Sequence, residues 1–378
     1  MSAHHSEEQT LHDMTGLNVV MAGPLPPAIG GMATVIGDIS QSSLADRVAL
    51  VPFNTAKQTS EGRSLLTGIV ARVSLWKRWA SALRGKGQSV AHIHTCSGLT
   101  YFLDGTLLII ARLLAQPVVL HIHGARFDRF LDELPAPLLF LARWLARRAN
   151  RVVVLSETWK ETLTDRLPGA QLSVIANGVP VRDEPVEAEN VAQTVFILFL
   201  GNLSQRKGVW ELIDAMRAVP VEATLALVGG EDDPGISDAA QTRINEAGMT
   251  DRVKLIGPAY GEDKHRWLEK ADIFVLPSHA EGLPIALLEA MGGGIPAVVT
   301  AVGAMPTVID DGVQGKVVPP GDVDALSAAL TALVNDPALR RTMGEAARKR
   351  CLADYGVERS AENYLRLYSE IVSVNNVN

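Results

Sequence analysis

Ser278-His279-Ala280-Glu281-Gly282-Leu283-Pro284-Ile285-Ala286-Leu287-Leu288-Glu289-Ala290-Met291-Gly292-Gly293-Gly294 sets two carboxylates, Glu281 and Glu289, on either side of a Gly-Leu-Pro turn that opens a helix. Pro284 suits a first helical position, since its missing N–H would be unpaired there anyway. The amides of Gly282 and Leu283 just before it face an open helix end, which attracts anions such as phosphate. Glu281 sits in the loop ahead of that end, and Glu289 lies about one and a half turns inside, so the two are spaced by about 12 Å of helix rise. That is the reach from the sugar to the ribose of a nucleotide sugar, and the pattern fits one ligand held at sugar, diphosphate and ribose. An acidic residue near a helix start is also favourable by itself, and a buried Glu can be structural. These residues alone leave both readings open.

Outward from this stretch the chain alternates short apolar runs with longer amphipathic ones. Leu17 to Ala22, Val90 to His94, Pro117 to His123, Arg151 to Leu155 and Val174 to Gly178 read as strands of a first series. A second series runs through Val195 to Gly201, Thr224 to Gly229, Val253 to Gly257, Ile273 to Pro277 and Ala297 to Thr300, and the chain from Asp322 onward is largely helical. Alternation of this kind predicts βαβ units with parallel sheets covered on both faces. Between the two series, Val181 to Ala192 is acidic and contains proline, and reads as a linker. The expected fold is therefore α/β, with two Rossmann-like doubly wound domains whose sheets present their carboxyl ends to a ligand cleft.

From about residue 17 to its end the chain resembles the retaining glycosyltransferase family 4, which has the GT-B fold. The resemblance rests on Asp272-Ile273-Phe274-Val275-Leu276-Pro277-Ser278, the Glu281/Glu289 element, Gly294-Ile295-Pro296-Ala297-Val298-Val299-Thr300 and Asp311-Gly312 to Gly315, which follow the family in order. It implies an N-terminal acceptor domain over 15–187 after a disordered tail at 1–14, and a nucleotide-sugar domain over 193–357. A last helix, within 358–378, would cross back to the first domain. Glu281 would contact the sugar ring and Glu289 the ribose, where a carboxylate can accept from both vicinal hydroxyls. Lys207, with Arg206 beside it, matches the basic position facing the donor phosphates. A cation there stabilises the charge that builds on the leaving nucleoside diphosphate. Gly30-Gly31 matches the loop over the diphosphate and the acceptor, and His123-Gly124 matches the position facing the reacting centre. Two residues depart from the pattern: Asn202 stands where Arg is frequent, and Thr307 where Glu is usual. Base recognition would follow Leu255-Ile256-Gly257 and involve Tyr260. No metal or cofactor is expected, because the family uses positive side chains and helix ends, and the His spacings match no zinc pattern.

Composition bounds the remaining choices. The 378 residues suffice for two cores. Met1 to Asp13 lacks the basic start and apolar stretch of a secretory signal, and no apolar run reaches the roughly 18 residues of a membrane span. Cys96 and Cys351 form no disulfide framework, which predicts a reducing, cytoplasmic setting. Residues 1–190 hold 18 Lys and Arg against 17 Asp and Glu, and the rest hold 17 against 25. Within the first half, the segment from Leu65 to Trp79 joins basic residues to an apolar, tryptophan-bearing face, as a membrane-surface helix does. The bland alternative is a helix that packs that face on its own sheet. Nucleic acid is not expected, since no basic and aromatic recognition motif is present.

Together these readings predict a retaining transfer of a hexose from a nucleoside-diphosphate sugar to a hydroxyl acceptor. The expected acceptor is a polyprenyl-diphosphate-linked saccharide at the inner membrane face, in exopolysaccharide or cell-envelope assembly. A nucleotide-sugar epimerase of the same fold, or a non-catalytic sugar- or lipid-binding relative, is the alternative. A phosphorylase would need a pyridoxal-phosphate lysine, for which no site is evident. An NAD(P)-dependent oxidoreductase is disfavoured, because neither opening strand is followed by G-x-G-x-x-G.

Overall fold

A computed structural model describes residues 14–28, 30–56, 65–85, 87–181 and 194–375. The expected tail at 1–14 lies outside these residues except for Met14, and the expected linker lies outside them from 182 onward. The chain divides into two compact units, Met1–Gly178 with Val357–Asn378, and Val179–Gly356. The division falls at Gly178 rather than near 187. Val179 bridges Gly356 in parallel and donates its N–H to the Tyr355 carbonyl at 2.9 Å, which ties this segment to the second unit.

Unit one is built on β1 (Asn18–Gly23), β2 (Ala49–Asn54), β3 (Ser89–Thr95), β4 (Val118–Ile122), β5 (Arg151–Val154) and β6 (Leu172–Val174). They form one parallel sheet in the order β2-β1-β3-β4-β5-β6. β1, β3 and β4 are buried along their whole lengths, as strands covered on both faces must be. β2 escapes a sequence reading because it carries Pro52 and alternates poorly; it is tolerated at the sheet edge, where a missing N–H breaks no ladder.

The last helix, Val357–Asn375, belongs to this unit. Its Tyr364, Leu365, Leu367, Tyr368 and Ile371 pack with Val19, Met21, Val90 and Val119 in one buried cluster. The helix Leu65–Leu83 turns its tryptophans inward. Trp79 is fully buried and donates to the Leu107 carbonyl at 2.9 Å, and Trp76 donates to Thr106 Oγ1 at 2.9 Å. The tryptophans thus serve packing, whereas Ile69 and Val70 on the same helix are 60% and 68% exposed.

Unit two contains β7 (Val195–Leu200), β8 (Ala223–Val228), β9 (Val253–Gly257), β10 (Ile273–Leu276), β11 (Ala297–Thr300) and β12 (Gly315–Val318). Its parallel sheet runs β12-β11-β10-β7-β8-β9. β12 is again a short edge strand that the apolar pattern does not announce. Among the described residues no helix is long and apolar enough to cross a membrane.

Candidate active site

In unit two the winding of the chain reverses between β7 and β10, and doubly wound sheets hold their ligands in the crevice at such a reversal. The loop leaving β7 carries Arg206 and Lys207 in the short turn Gln205–Lys207, and the loop leaving β10 carries Ser278 to Pro284. Gly208 lets the two loops meet. Its φ is +72°, and a Cβ there would lie 2.1 Å from the Pro277 carbonyl oxygen, so any other residue would push the loops apart.

Oε1 of Glu281 gathers the donors of both loops. Lys207 Nζ lies at 2.5 Å, Ser278 Oγ at 2.8 Å and an Arg206 nitrogen at 3.5 Å. Arg206 also donates to the Ala280 carbonyl at 2.9 Å and lies 3.5 Å from Asp232. The Lys207 and Glu281 side chains are only 13% and 7% exposed. A pair this far from water persists only when geometry and further hydrogen bonds offset desolvation, and Ser278 supplies one of them. The carboxylate thus sits against two basic side chains, in the loops that meet at the strand-order reversal.

The helix beyond this turn is Ile285–Gly292, with Pro284 as its N-cap rather than its first residue. Gly282 and Leu283 are buried, and the Gly282 carbonyl accepts from the Ala304 amide at 3.0 Å. Glu289 is therefore about one turn inside the helix instead of one and a half. It forms an ion pair with Lys264 of the helix Gly261–Glu269, the helix that Tyr260 opens. Asn202 donates to Asp232 Oδ1 at 2.9 Å. Thr307 bonds the Ala304 carbonyl at 2.7 Å within its own turn. Reading the sequence missed Ser278 and Lys264; a serine three residues before the first Glu was the available signal for one, and nothing local marked the other.

In unit one the sheet order reverses between β1 and β3. Gly31 opens the helix Gly31–Ile39, and Gly30 caps it with φ +133°, a conformation that needs glycine although a Cβ would meet nothing within 4 Å. Both are exposed. β3 and β4 pair with His94 opposite His121. Because alternate strand residues share a face, His92, His94, His121 and His123 form one stacked group under Tyr364 and Tyr368. His123 Nε2 lies 2.8 Å from His94 Nδ1, and His92 Nδ1 lies 2.6 Å from the Tyr368 hydroxyl. Burial pushes His92 and His123 down to about 3, and holds His94 and His121 well below the ordinary imidazole range. All four rings are neutral. Nitrogens of His92, His94 and His121 come within 4.8 Å of one another. Their rings are inclined to one another by 14° to 36°.

Of the residues expected at the site, Glu281, Lys207 and Arg206 meet in unit two, with Gly282 and Leu283 on the same loop and Glu289 on the helix that follows, while His123, Gly30 and Gly31 belong to unit one. Residues 29–183 match the family described as Glycosyltransferase Family 4, and residues 182–350 match Glycosyl transferases group 1. The chain belongs to glycosyltransferase family 4. This family 4 glycosyltransferase is 27% identical to a glycogen synthase of Mycobacterium tuberculosis, over 69% of its own length and 65% of the relative's. It thus spans just under two thirds of that relative. It is 27% identical to the GDP-mannose:cellobiosyl-diphosphopolyprenol alpha-mannosyltransferase of Xanthomonas oryzae pv. oryzae, over 84% and 88% of the two chains. Among solved structures, sucrose-phosphate synthase from Thermosynechococcus elongatus superposes with a TM-score of 0.77 at 20% identity, covering 95% of this chain and 100% of the other. That likeness concerns the fold, which is GT-B.

Proposed function

We propose that this glycosyltransferase moves a hexose from a nucleoside-diphosphate sugar to a hydroxyl acceptor with retention of the anomeric configuration. The observation that carries the reading is the convergence of Lys207, Arg206 and Glu281 at the strand-order reversal of unit two. Cleavage of the sugar–phosphate bond moves charge onto the leaving diphosphate. Lys207 and Arg206 stabilise that charge, more in the transition state than before it. The amino end of the helix Ile285–Gly292 adds its dipole. Glu281 orients the sugar ring and Glu289 accepts from the ribose hydroxyls, with Lys264 balancing its charge until they arrive. From unit one, His123 donates to the sugar or phosphate, and the Gly30-Gly31 turn offers amides to the diphosphate. No metal or cofactor enters this scheme, and the two cations do the work a metal does elsewhere.

The acceptor in this reading is a polyprenyl-diphosphate-linked saccharide of exopolysaccharide or cell-envelope assembly, met at the cytoplasmic face of the membrane. The Xanthomonas relative's name supports a lipid diphosphate acceptor and a GDP-mannose donor, and a UDP-hexose is the other donor candidate. The surface of unit one supports membrane contact: Ile69 and Val70 are exposed near Arg72, and Phe140 is 66% exposed on a helix that also carries Arg143, Arg147 and Arg148. Thermal shift across UDP-, GDP-, ADP- and dTDP-sugars, with NAD as control, tests the donor. A shift with one nucleotide class is expected. Transfer to a lipid-linked acceptor, with the product anomer read by NMR, tests the remainder; an inverted product or stabilisation by NAD alone overturns the reading.

A further inference from the structure

The unassigned feature of unit one is the histidine stack, and its hydrogen bonds decide which proton His123 carries. His94 Nδ1 and His123 Nε2 are 2.8 Å apart. Two neutral rings share one such bond only if exactly one of the two nitrogens is protonated. The other end of His94 resolves which. His94 Nε2 is buried and has no hydrogen-bond partner among the described residues. An orphaned N–H is the rarer and costlier state in a protein interior than an orphaned acceptor, so the His94 proton sits on Nδ1 and its Nε2 is bare. His94 then donates to His123 Nε2, and His123 must carry its own proton on Nδ1.

We infer that His94 is a positioning residue that holds His123 as the Nδ1–H tautomer, so that His123 meets its ligand as a neutral hydrogen-bond donor and not as a base. The inference rests on the reading of His123 as a ligand contact and specifies what that contact does: Nδ1–H donates to an oxygen of the sugar or the diphosphate. The architecture explains why the arrangement holds. His94 is 1% exposed and pairs across the β3–β4 ladder with His121, so its ring cannot swing away. A Cβ at Gly23 would lie 3.3 Å from His94 Cβ, so β1 closes the other side. The same reasoning applies one step deeper. His121 Nε2 is also a buried orphan, which places its proton on Nδ1, 3.4 Å from His92 Nε2 and from the Tyr364 hydroxyl.

The deciding experiment is long-range ¹⁵N–¹H correlation on the histidine-labelled full chain, with His123 assigned by loss of its signal in His123→Gln. It needs no substrate. The expected result is an Nδ1–H, neutral His123 throughout pH 6 to 8; an Nε2–H or protonated His123 overturns the inference. In His94→Leu, His123 should revert toward the Nε2–H form, and release of nucleoside diphosphate from UDP-glucose or GDP-mannose should slow about tenfold in kcat, the worth of one hydrogen bond. His94→Asn, whose amide supplies a donor near the lost Nδ1, should restore both the tautomer and kcat. An unchanged tautomer in His94→Leu overturns the inference even if the rate falls. Full activity in His123→Ala would instead remove His123 from the reaction while leaving its tautomer as assigned, so the two failures are separable.

Discussion

Lys207 Nζ lies 2.5 Å from Glu281 Oε1, joining the loop that leaves β7 to the loop that leaves β10 across the strand-order reversal of unit two. The pair links a sequence turn, Arg-Lys-Gly, to the first Glu of the Glu281/Glu289 element 74 residues later. Each partner balances the other's charge, and in the proposed reaction the donor diphosphate is the competing anion. Removing one partner therefore acts on both catalysis and stability.

Lys207→Met should reduce kcat by about 10²–10³-fold, the cost of losing one fixed charge-stabilising donor. Stability should fall by about 1–3 kcal/mol, because Arg206 remains beside the stranded carboxylate. Glu281→Gln, which keeps the shape but leaves Lys207 without its carboxylate, should also lose stability and should transfer poorly. Steady-state kinetics beside thermal melts separates these outcomes, and equal loss in both variants of stability alone would remove Lys207 and Glu281 from the reaction.

Glu289→Ala should weaken the donor about tenfold in KM, the loss of a charge-assisted hydrogen bond, and leave the fold intact. A 2′-deoxy donor should lose affinity with the parent protein but not with the variant. Equal loss in both proteins, or an unchanged rate in the variant, refutes the ribose role.

Acid should destabilise unit one. His92 and His123 stand at about 3 in the folded chain, and His94 and His121 also lie well below the ordinary imidazole value of 6.5. With folded values below the unfolded one, the unfolded chain takes up protons first as pH drops. Their stabilisation is complete above 6.5 and shrinks as pH falls toward 3, by up to about 1.4 kcal/mol per pH unit for each ring. Asp104, raised to about 7 by burial, has the opposite sign: it favours the fold at low pH and loses that contribution as pH rises from 3.8 to about 7. The histidines outnumber it, so unfolding at pH 5 should need less urea than at pH 7.5. An identical midpoint at both values contradicts this.

Deleting residues 357–378 should abolish soluble folding of unit one, since it strips Tyr364, Tyr368 and Ile371 from the core. The milder Tyr368→Leu should cost about 1–3 kcal/mol by stranding His92 Nδ1. Circular dichroism and urea titration report both.

Ile69→Ser with Val70→Ser should reduce co-sedimentation with vesicles rich in anionic lipid and leave donor binding unaltered. The residual binding should fall with salt, as attraction of the basic residues to the surface is screened. Sedimentation equal to the parent's would assign these side chains no membrane role.

Much of this was legible from residue order. The buried strands β7 and β10 are continuous apolar runs and β1 nearly so, as a strand covered on both faces tends to be, whereas β3 and β4 set histidines among their apolar residues. The edge strands β2 and β12 were not legible, since an edge tolerates Pro52 and Lys316 and leaves no such pattern. Glu281 and Glu289 stood out through their spacing, and Lys207 through the family resemblance. Lys264 did not, because the contact that gives it meaning is made across 25 residues and two helices.

The amino-acid order by itself determined the two α/β series and the turn that sets Glu281 before its helix, because these follow from local periodicity and from the backbone demands of Gly and Pro, while the candidate cations were named by the family resemblance. Only the tertiary structure decided which groups share a charge or a proton. Lys207 and Arg206 meet Glu281, and Lys264 meets Glu289, through the winding of unit two. His94 meets His123 through the register of β3 on β4. Such contacts act over about 3 Å, while the residues that make them are separated by tens of positions, and only the sheet order and register bring them within reach.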